Sequence, residues 1–277
     1  MIHDLSSEQI RHFIEEDLGT GDVTAAIIPV ETLACAQVIT REPMVLCGQA
    51  WFNAVFSYLD SDIAIEWLHA EGIALPANTV LCQLTGPART LLTGERTALN
   101  LLQSLSATAT LARQYANAVA GTACKVLDTR KTIPGLRQAQ KYAVACGGAQ
   151  NHRMGLYDAV LIKENHIIAT GSIANAVAKA RRLTNVWVEV EVESLAELEE
   201  ALQAQPDRIM LDNFSLAELR QAVALVEGRV ELEASGNIRL DNIRTIAETG
   251  VNFISIGALT KDIKAIDLSM RIQLLNE

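Results

Sequence analysis

No CxxC pair occurs anywhere in the 277 residues, and the five cysteines (Cys35, Cys47, Cys82, Cys124, Cys146) form an odd, scattered set. That argues against a disulfide framework and a structural zinc site, so reduced thiols in a cytoplasmic setting are expected. No window approaches the roughly 18–20 apolar residues of a membrane span. The opening MIHDLSSEQIRHFIEEDLG carries acids where a secretory leader needs a basic and then an apolar stretch, so neither export nor membrane insertion is expected. Positive net charge is lacking too. At −10 the chain as a whole has no bulk attraction for nucleic acid or anionic lipid. What is abundant is apolar residue, 49%, enough to fill one large barrel or two ordinary domains.

Local charge departs from the bulk. The stretch DTRKTIPGLR sets Arg130 and Lys131 between an apolar run and a proline-glycine turn, and from Arg130 to His166 six Lys/Arg face two acids. A solvated basic face accounts for such a run; so does a site that waits for an anion.

From Cys124 onward, short β-type runs (CKVLDT, AVLIKE, WVEVEVES, RIMLDN, VELEASG, FISIGA) alternate with helical ones (GSIANAVAKARRL, SLAELEEALQAQ, SLAELRQAVALVEG, RLDNIRTIAETG). Such alternation predicts a parallel sheet with crossover helices. Ser194 and Ser215, each with a glutamate three residues on (Glu197, Glu218), read as capping boxes, and Gly228 and Gly250 as helix ends.

Each strand run finishes in polar or small residues: Asp128 to Lys131, Lys163 to His166, Glu191 to Glu193, Asp212-Asn213, Ser235-Gly236-Asn237 and Gly257. In α/β barrels the C-terminal rim is where loops converge on one cavity, so these ends point to one site. In WVEVEVES the period of two puts Val188, Val190 and Val192 on one face and Glu189, Glu191 and Glu193 on the other. Valines under helices leave the glutamates lining the barrel, where carboxylates need cations, metal or ligand hydroxyls. A structural ion-pair ladder is the other reading.

The first third is different in kind. After a helix near 7–18, the runs ACAQVITREP, IAIEWLHAEG and TVLCQLTGPA alternate polar and apolar between Gly/Pro turns, which suggests an α/β sandwich domain. A long helix is expected from about TGERTALN, with Leu99, Leu102 and Ser106 on its buried face and Glu95 and Arg96 in its first turn. An arginine there is electrostatically unfavourable alone, so Arg96 is either a surface residue or held for an anion.

Taken together, LLTGERTALN, DTRKTIPGLRQAQKYAVACGGAQNHRMGLYDAVLIKENHI, VEVEVES, MLDNF, EASGN and TGVNFISIGALT resemble the quinolinate phosphoribosyltransferases, and the likeness runs from EEDLGTGDVT to DLSMR. The resemblance implies an α/β class fold: an N-terminal α/β sandwich over residues 1–115, with segment 265–277 packed back on it, and an incomplete, seven-stranded α/β barrel over 116–264. It implies a homodimer with shared active sites and a Mg²⁺-dependent reaction. Quinolinate and phosphoribosyl pyrophosphate would give nicotinate mononucleotide, pyrophosphate and carbon dioxide, a step of NAD biosynthesis.

The residues suit that chemistry. A dianion needs cations in a fixed fork, which Arg130, Arg153 and Lys131 can supply. By the resemblance, His152 also lines the quinolinate pocket, Lys163 meets the phosphoribosyl donor or pyrophosphate, and Arg96 reaches in from the neighbouring subunit. Lys131, Lys163, Glu191 and Asp212 would be catalytic. Glu191 and Asp212 would hold ribose hydroxyls and Mg²⁺, directly or through water, and Ser235, Gly236, Asn237 and Gly257 would receive the 5′-phosphate on backbone N–H groups. Two other functions stay open: a Schiff-base aldolase using Lys163, and a non-catalytic relative that binds a different anion. The strand with paired acids before a Thr-Gly-Gly-Thr loop, usual in type I phosphoribosyltransferases, is absent.

Overall fold

The computed structural model describes residues 6–275. In chain order the elements are α1 (Ser7–Leu18), β1 (Leu33–Thr40), β2 (Met44–Val45), α2 (Gln49–Leu59), β3 (Ala64–Trp67), β4 (Ala74–Leu75), β5 (Val80–Pro87), α3 (Ala88–Ala118), β6 (Lys125–Leu127), α4 (Arg137–Cys146) and β7 (Val160–Ile162). They continue with α5 (Glu164–Thr170), α6 (Ile173–Leu183), β8 (Val188–Val192), α7 (Leu195–Ala204), β9 (Arg208–Asp212), α8 (Leu216–Val226), β10 (Glu231–Ser235), α9 (Ile243–Ala247), β11 (Phe253–Ser255), α10 (Ala258–Lys261) and β12 (Leu268–Leu274). The chain divides into two compact units, Met1–Leu111 with Ile263–Glu277, and Ala112–Asp262. No described helix is long and apolar enough to cross a membrane.

The first unit is built on an antiparallel sheet of order β12-β1-β5-β3, with β2 and β4 as a separate ribbon. In β1, LACAQVIT buries alternate residues Ala34, Ala36, Val38 and Thr40, as a strand covered on one face requires. Trp51, Phe52, Val55 and Phe56 of α2 fill the core. Helix α3 begins at Ala88, directly after Pro87, rather than near Thr93. Leu99, Leu102 and Ser106 do form its buried face. Arg96, however, lies roughly two turns past the helix start, so the first-turn placement is wrong and its helix-end electrostatic argument falls; the side chain is exposed on the helix surface.

The second unit holds a six-stranded, all-parallel sheet of order β6-β11-β10-β9-β8-β7, built from the six runs marked in the sequence. Strands β6 and β7 stand at its two edges, and the barrel is not closed. Six strands form the sheet instead of the seven that the resemblance implies, and beside β6 a single parallel bridge joins Leu127 to Gln150. After it, the Asn151 side-chain amide donates to Asp128 Oδ2 and to the Lys141 carbonyl, and the His152 N–H donates to Asp128 Oδ1 in place of a ladder bond. Helix starts follow the caps: Ser194 and Ser215 accept N–H groups of Glu197 and Glu218, and Ser215 completes a capping box. Glu197 reaches back instead to the N–H of Glu193. Gly228 follows the cap of α8 with φ 72°, whereas Gly250 lies two residues beyond the cap of α9. Val188, Val190 and Val192 are fully buried, and β8 packs with α6 and α7.

Candidate active site

The valines' burial under helices turns Glu189 and Glu191 into the barrel, and the same alternation turns Met210 and Asp212 of β9, Glu233 and Ser235 of β10, and Ser255 of β11 the same way. A cavity of about 410 Å³ opens at the C-terminal ends of these strands, all of it from the second unit. Its walls carry four cations: Arg130 and Lys131 after β6, Arg153, and Lys163 at the end of β7. Facing them are Glu191, Asp212 and Glu233, with Leu161 and Met210 as apolar surface. Lys163 is ion-paired with Glu191; the lysine side chain is 47% exposed and the glutamate 13%. Asp212 Oδ2 accepts the Asn213 amide at 2.7 Å.

A second cavity of about 490 Å³ shares Thr129, Lys131, Asp212, Ser235 and Ser255 with the first and continues over Gly236, Asn237 and Gly257. Gly236 has φ 94°, and a Cβ there would collide with the Asn213 side chain, so only glycine lets the β9 and β10 loops approach this closely. A Cβ at Gly257 would stand 3.0 Å from Lys131 Cδ. Arg239, Lys261 and Tyr115 also line this cavity.

Beneath the first cavity the barrel interior is charged. His152 Nε2 stands 2.9 Å from Glu189 Oε2 and 3.5 Å from Glu233 Oε2, both carboxylates fully buried. Arg208 Nη1 donates to Glu233 at 3.1 Å, and its guanidinium lies over Phe253 (3.8 Å to the ring centroid) and Trp187 (5.0 Å). Burial, then the neighbouring charge of Glu233, pushes the Glu189 carboxyl up to about 7. For Glu233, hydrogen bonding and the charge of His152 outweigh burial and hold the carboxyl below its ordinary value. Burial disfavours charge on His152, but hydrogen bonds to Glu189 and Glu233 and their charge outweigh it and raise the imidazole to about 9; Nε2 faces the two carboxylates, and Nδ1 lies 2.7 Å from the Arg153 N–H. The three side chains put potential ligand atoms within 4.8 Å of one another. Arg208 supplies counter-charge at 3.1 Å from Glu233, but Glu189 Oε1, Glu233 Oε1 and Arg208 Nε are buried without a hydrogen-bond partner among the described residues, so the ion-paired core leaves polar capacity unmet.

A second buried knot lies beside it. Asp128 Oδ1 takes the Lys141 ammonium and, at 2.9 Å, the His152 N–H; Oδ2 takes the Asn151 amide at 2.6 Å. Lys141 also donates to the His152 carbonyl at 2.9 Å. Asp128 and Lys141 are both fully buried, and burial lifts the carboxyl and lowers the ammonium from their ordinary values, against the pull of their contact.

Eleven of the twelve residues singled out from the sequence thus line the two adjoining cavities: Arg130, Lys131, His152, Arg153, Lys163, Glu191, Asp212, Ser235, Gly236, Asn237 and Gly257. Arg96 belongs to the first unit and is not among the lining residues. His152 forms part of the wall with both ring nitrogens already engaged by the protein. Two cations of the basic segment leave the count: Lys141 is neutralised by Asp128, and Arg137 holds Thr132 and the carbonyls of Met154 and Arg130. Sequence reasoning missed Glu233, Arg239 and Lys261. For Glu233 a signal existed, since period-2 alternation in VELEASG pairs it with Ser235.

A family profile described as quinolinate phosphoribosyl transferase, C-terminal domain, matches residues 108–271, and its N-terminal counterpart matches residues 22–106. The chain is 42% identical over 270 residues to the probable nicotinate-nucleotide pyrophosphorylase [carboxylating] of Bacillus subtilis, covering 97% of this chain and 93% of that protein. The solved nicotinate-nucleotide pyrophosphorylase of Francisella tularensis superposes with a TM-score of 0.95 at 49% identity, over 99% of both chains. That of Ehrlichia chaffeensis gives 0.94 at 37% identity, over 99% of this chain and all of the other. This chain belongs to the quinolinate phosphoribosyltransferase family.

Proposed function

We propose that the chain transfers the phosphoribosyl group of phosphoribosyl pyrophosphate to quinolinate, giving nicotinate mononucleotide, pyrophosphate and carbon dioxide, in NAD biosynthesis. The observation that carries this reading is the joined pair of cavities, one ringed by Arg130, Lys131, Arg153 and Lys163, the other floored by glycine-rich strand ends. The first suits a planar dianion: two guanidinium groups and two ammonium groups converge where two carboxylates would lie. The second suits a 5′-phosphate, with backbone N–H groups of the 235–237 and 257 loops brought close and Arg239 and Lys261 adding charge.

Within this reading Asp212 and Glu191 orient the ribose hydroxyls at the junction of the cavities. Lys163 balances pyrophosphate charge, and the cation ring holds the pyridine nitrogen in line with ribose C1. Positioning and charge stabilisation are what an oxocarbenium-like transfer demands. Carbon dioxide then leaves from the ribosylated ring, its bonding pair staying on the ring carbon where the adjacent positive pyridinium nitrogen stabilises it, and that pair takes up a proton. Glu191 and Asp212 themselves offer carboxylate oxygens, which suit Mg²⁺ held directly or through waters; when bound, the ion would neutralise charge on the leaving pyrophosphate. We further assign a homodimer, with Arg96 of each subunit completing the partner's quinolinate pocket, and a cytoplasmic setting, in keeping with five free cysteines. His152 contributes a wall, not a donor.

A Schiff-base aldolase is disfavoured because Lys163 is half in solvent and paired to a carboxylate, the opposite of the apolar setting that frees an amine. Incubation of the protein with quinolinate, phosphoribosyl pyrophosphate and Mg²⁺ tests the reading: nicotinate mononucleotide should accumulate. Product from nicotinate but not from quinolinate would overturn it.

A further inference from the structure

Two segments carry the cations of the first cavity's floor: Arg130 and Lys131 after β6, and Arg153 after the Gln150 bridge. Like charges do not gather unaided, and Arg130 bears on Arg153 closely enough to disfavour its charged form after burial has done so. Something must hold the two segments at a fixed separation. Along this stretch the sheet offers one backbone bridge, through the Asp128 N–H to Gln150 O at 3.0 Å and the Gln150 N–H to Val126 O at 2.8 Å. Beyond that bridge the ladder stops, and the side chain of Asp128 takes over.

We propose that Asp128 is a positioning residue that sets the spacing between the Arg130–Lys131 loop and Arg153, and through it the preference for a ligand with two neighbouring carboxylates. The inference rests on the assignment of quinolinate to this cavity. One carboxylate binds three partners from two elements: the Lys141 ammonium on α4, the His152 N–H at 2.9 Å and the Asn151 amide at 2.6 Å. Lys141 closes the loop on the His152 carbonyl at 2.9 Å, and Asn151 closes another on the Lys141 carbonyl at 2.8 Å. His152 is thereby pinned through its N–H and carbonyl from one side and through its ring by Glu189 and Glu233 from the other, and Arg153 hangs from it by the N–H to Nδ1 bond. Asp128 itself is two residues from Arg130 and wholly buried, so it shapes the pocket without lining it. A full set of partners on one buried carboxylate is what makes such a pair rigid and not merely tolerated.

The test compares the wild-type enzyme with Asn151→Ala, which removes one arm from an exposed position, and with the charge-free double variant Asp128→Asn/Lys141→Met, which leaves no unpaired buried charge. Steady-state constants for both substrates are measured beside thermal midpoints. In Asn151→Ala the KM for quinolinate should rise about fivefold, the worth of one hydrogen bond, with the KM for phosphoribosyl pyrophosphate and kcat unchanged. The double variant should lose tenfold or more on quinolinate, while nicotinate, tested as a competitive inhibitor, loses less. A merely structural role would lower the thermal midpoint and leave the KM values alone, and that result overturns the proposal, as does an equal change in both KM values. If the double variant does not fold, Asn151→Ala decides alone. Activity of the wild type on quinolinate in the same assay stands or falls separately from these shifts.

Discussion

Lys163 and Glu191 form an ion pair across the ends of the neighbouring parallel strands β7 and β8, and both side chains line the same cavity. A pair placed at a rim, with its lysine half exposed, is poised to be opened by a ligand. Replacing Glu191 by Gln, or Asp212 by Asn, keeps shape and removes charge. Folding should stay nearly intact while turnover and the response to Mg²⁺ fall, as read by rate against Mg²⁺ concentration. Wild-type rate and Mg²⁺ dependence in both amides would reassign these carboxylates to a structural ladder.

For the cation ring, Arg153→Ala or Lys131→Ala should weaken quinolinate binding by about 2–5 kcal/mol, the usual cost of losing one member of a desolvated charge pair. Calorimetric titration with quinolinate checks this. Unchanged affinity in both variants would remove them from the pocket.

The pH dependence of stability carries a sign that can be worked out for Glu189, whose carboxyl is raised by burial to about 7 in the folded state. Between the ordinary glutamate range and that value the native protein binds more protons than the unfolded one, so stability should fall as pH rises from roughly 4.5 to 7. In Glu189→Gln that decline should flatten. Denaturant midpoints across the range measure it, and an identical slope in the variant would contradict the assignment.

The proposed homodimer puts Arg96 in the partner's site. Mixing inactive Arg96→Ala with inactive Lys163→Ala and allowing subunit exchange makes about half the dimers mixed, so roughly a quarter of all sites should recover. Verified exchange without recovery would sink the shared site, though not the barrel chemistry.

Much of the site was legible because strands have a period of two and barrels converge at their C-terminal rim. Those two rules place Glu191, Asp212, Ser235 and Gly257 at the rim from the sequence alone. The knot of Asp128 and Lys141 was not legible, since a sequence shows charge but not who pairs with it. Lys141 sits among Ala139, Gln140, Ala143 and Val144, all buried, and that helical face was the available hint. The start of α3 was missed because Pro87 ends a strand and the helix follows without a loop. The role of Arg96 rests on resemblance, as local propensity says nothing about a second copy.

In the proposed reaction, ribosylation of the pyridine nitrogen precedes and enables loss of carbon dioxide. Quinolinate labelled in its 2-carboxyl group, incubated with the protein and Mg²⁺, measures this directly. Labelled carbon dioxide should appear only when phosphoribosyl pyrophosphate is present, in equal amount to pyrophosphate and nicotinate mononucleotide. Release without the phosphoribosyl donor, or pyrophosphate formed with the label retained in the final product, would contradict it.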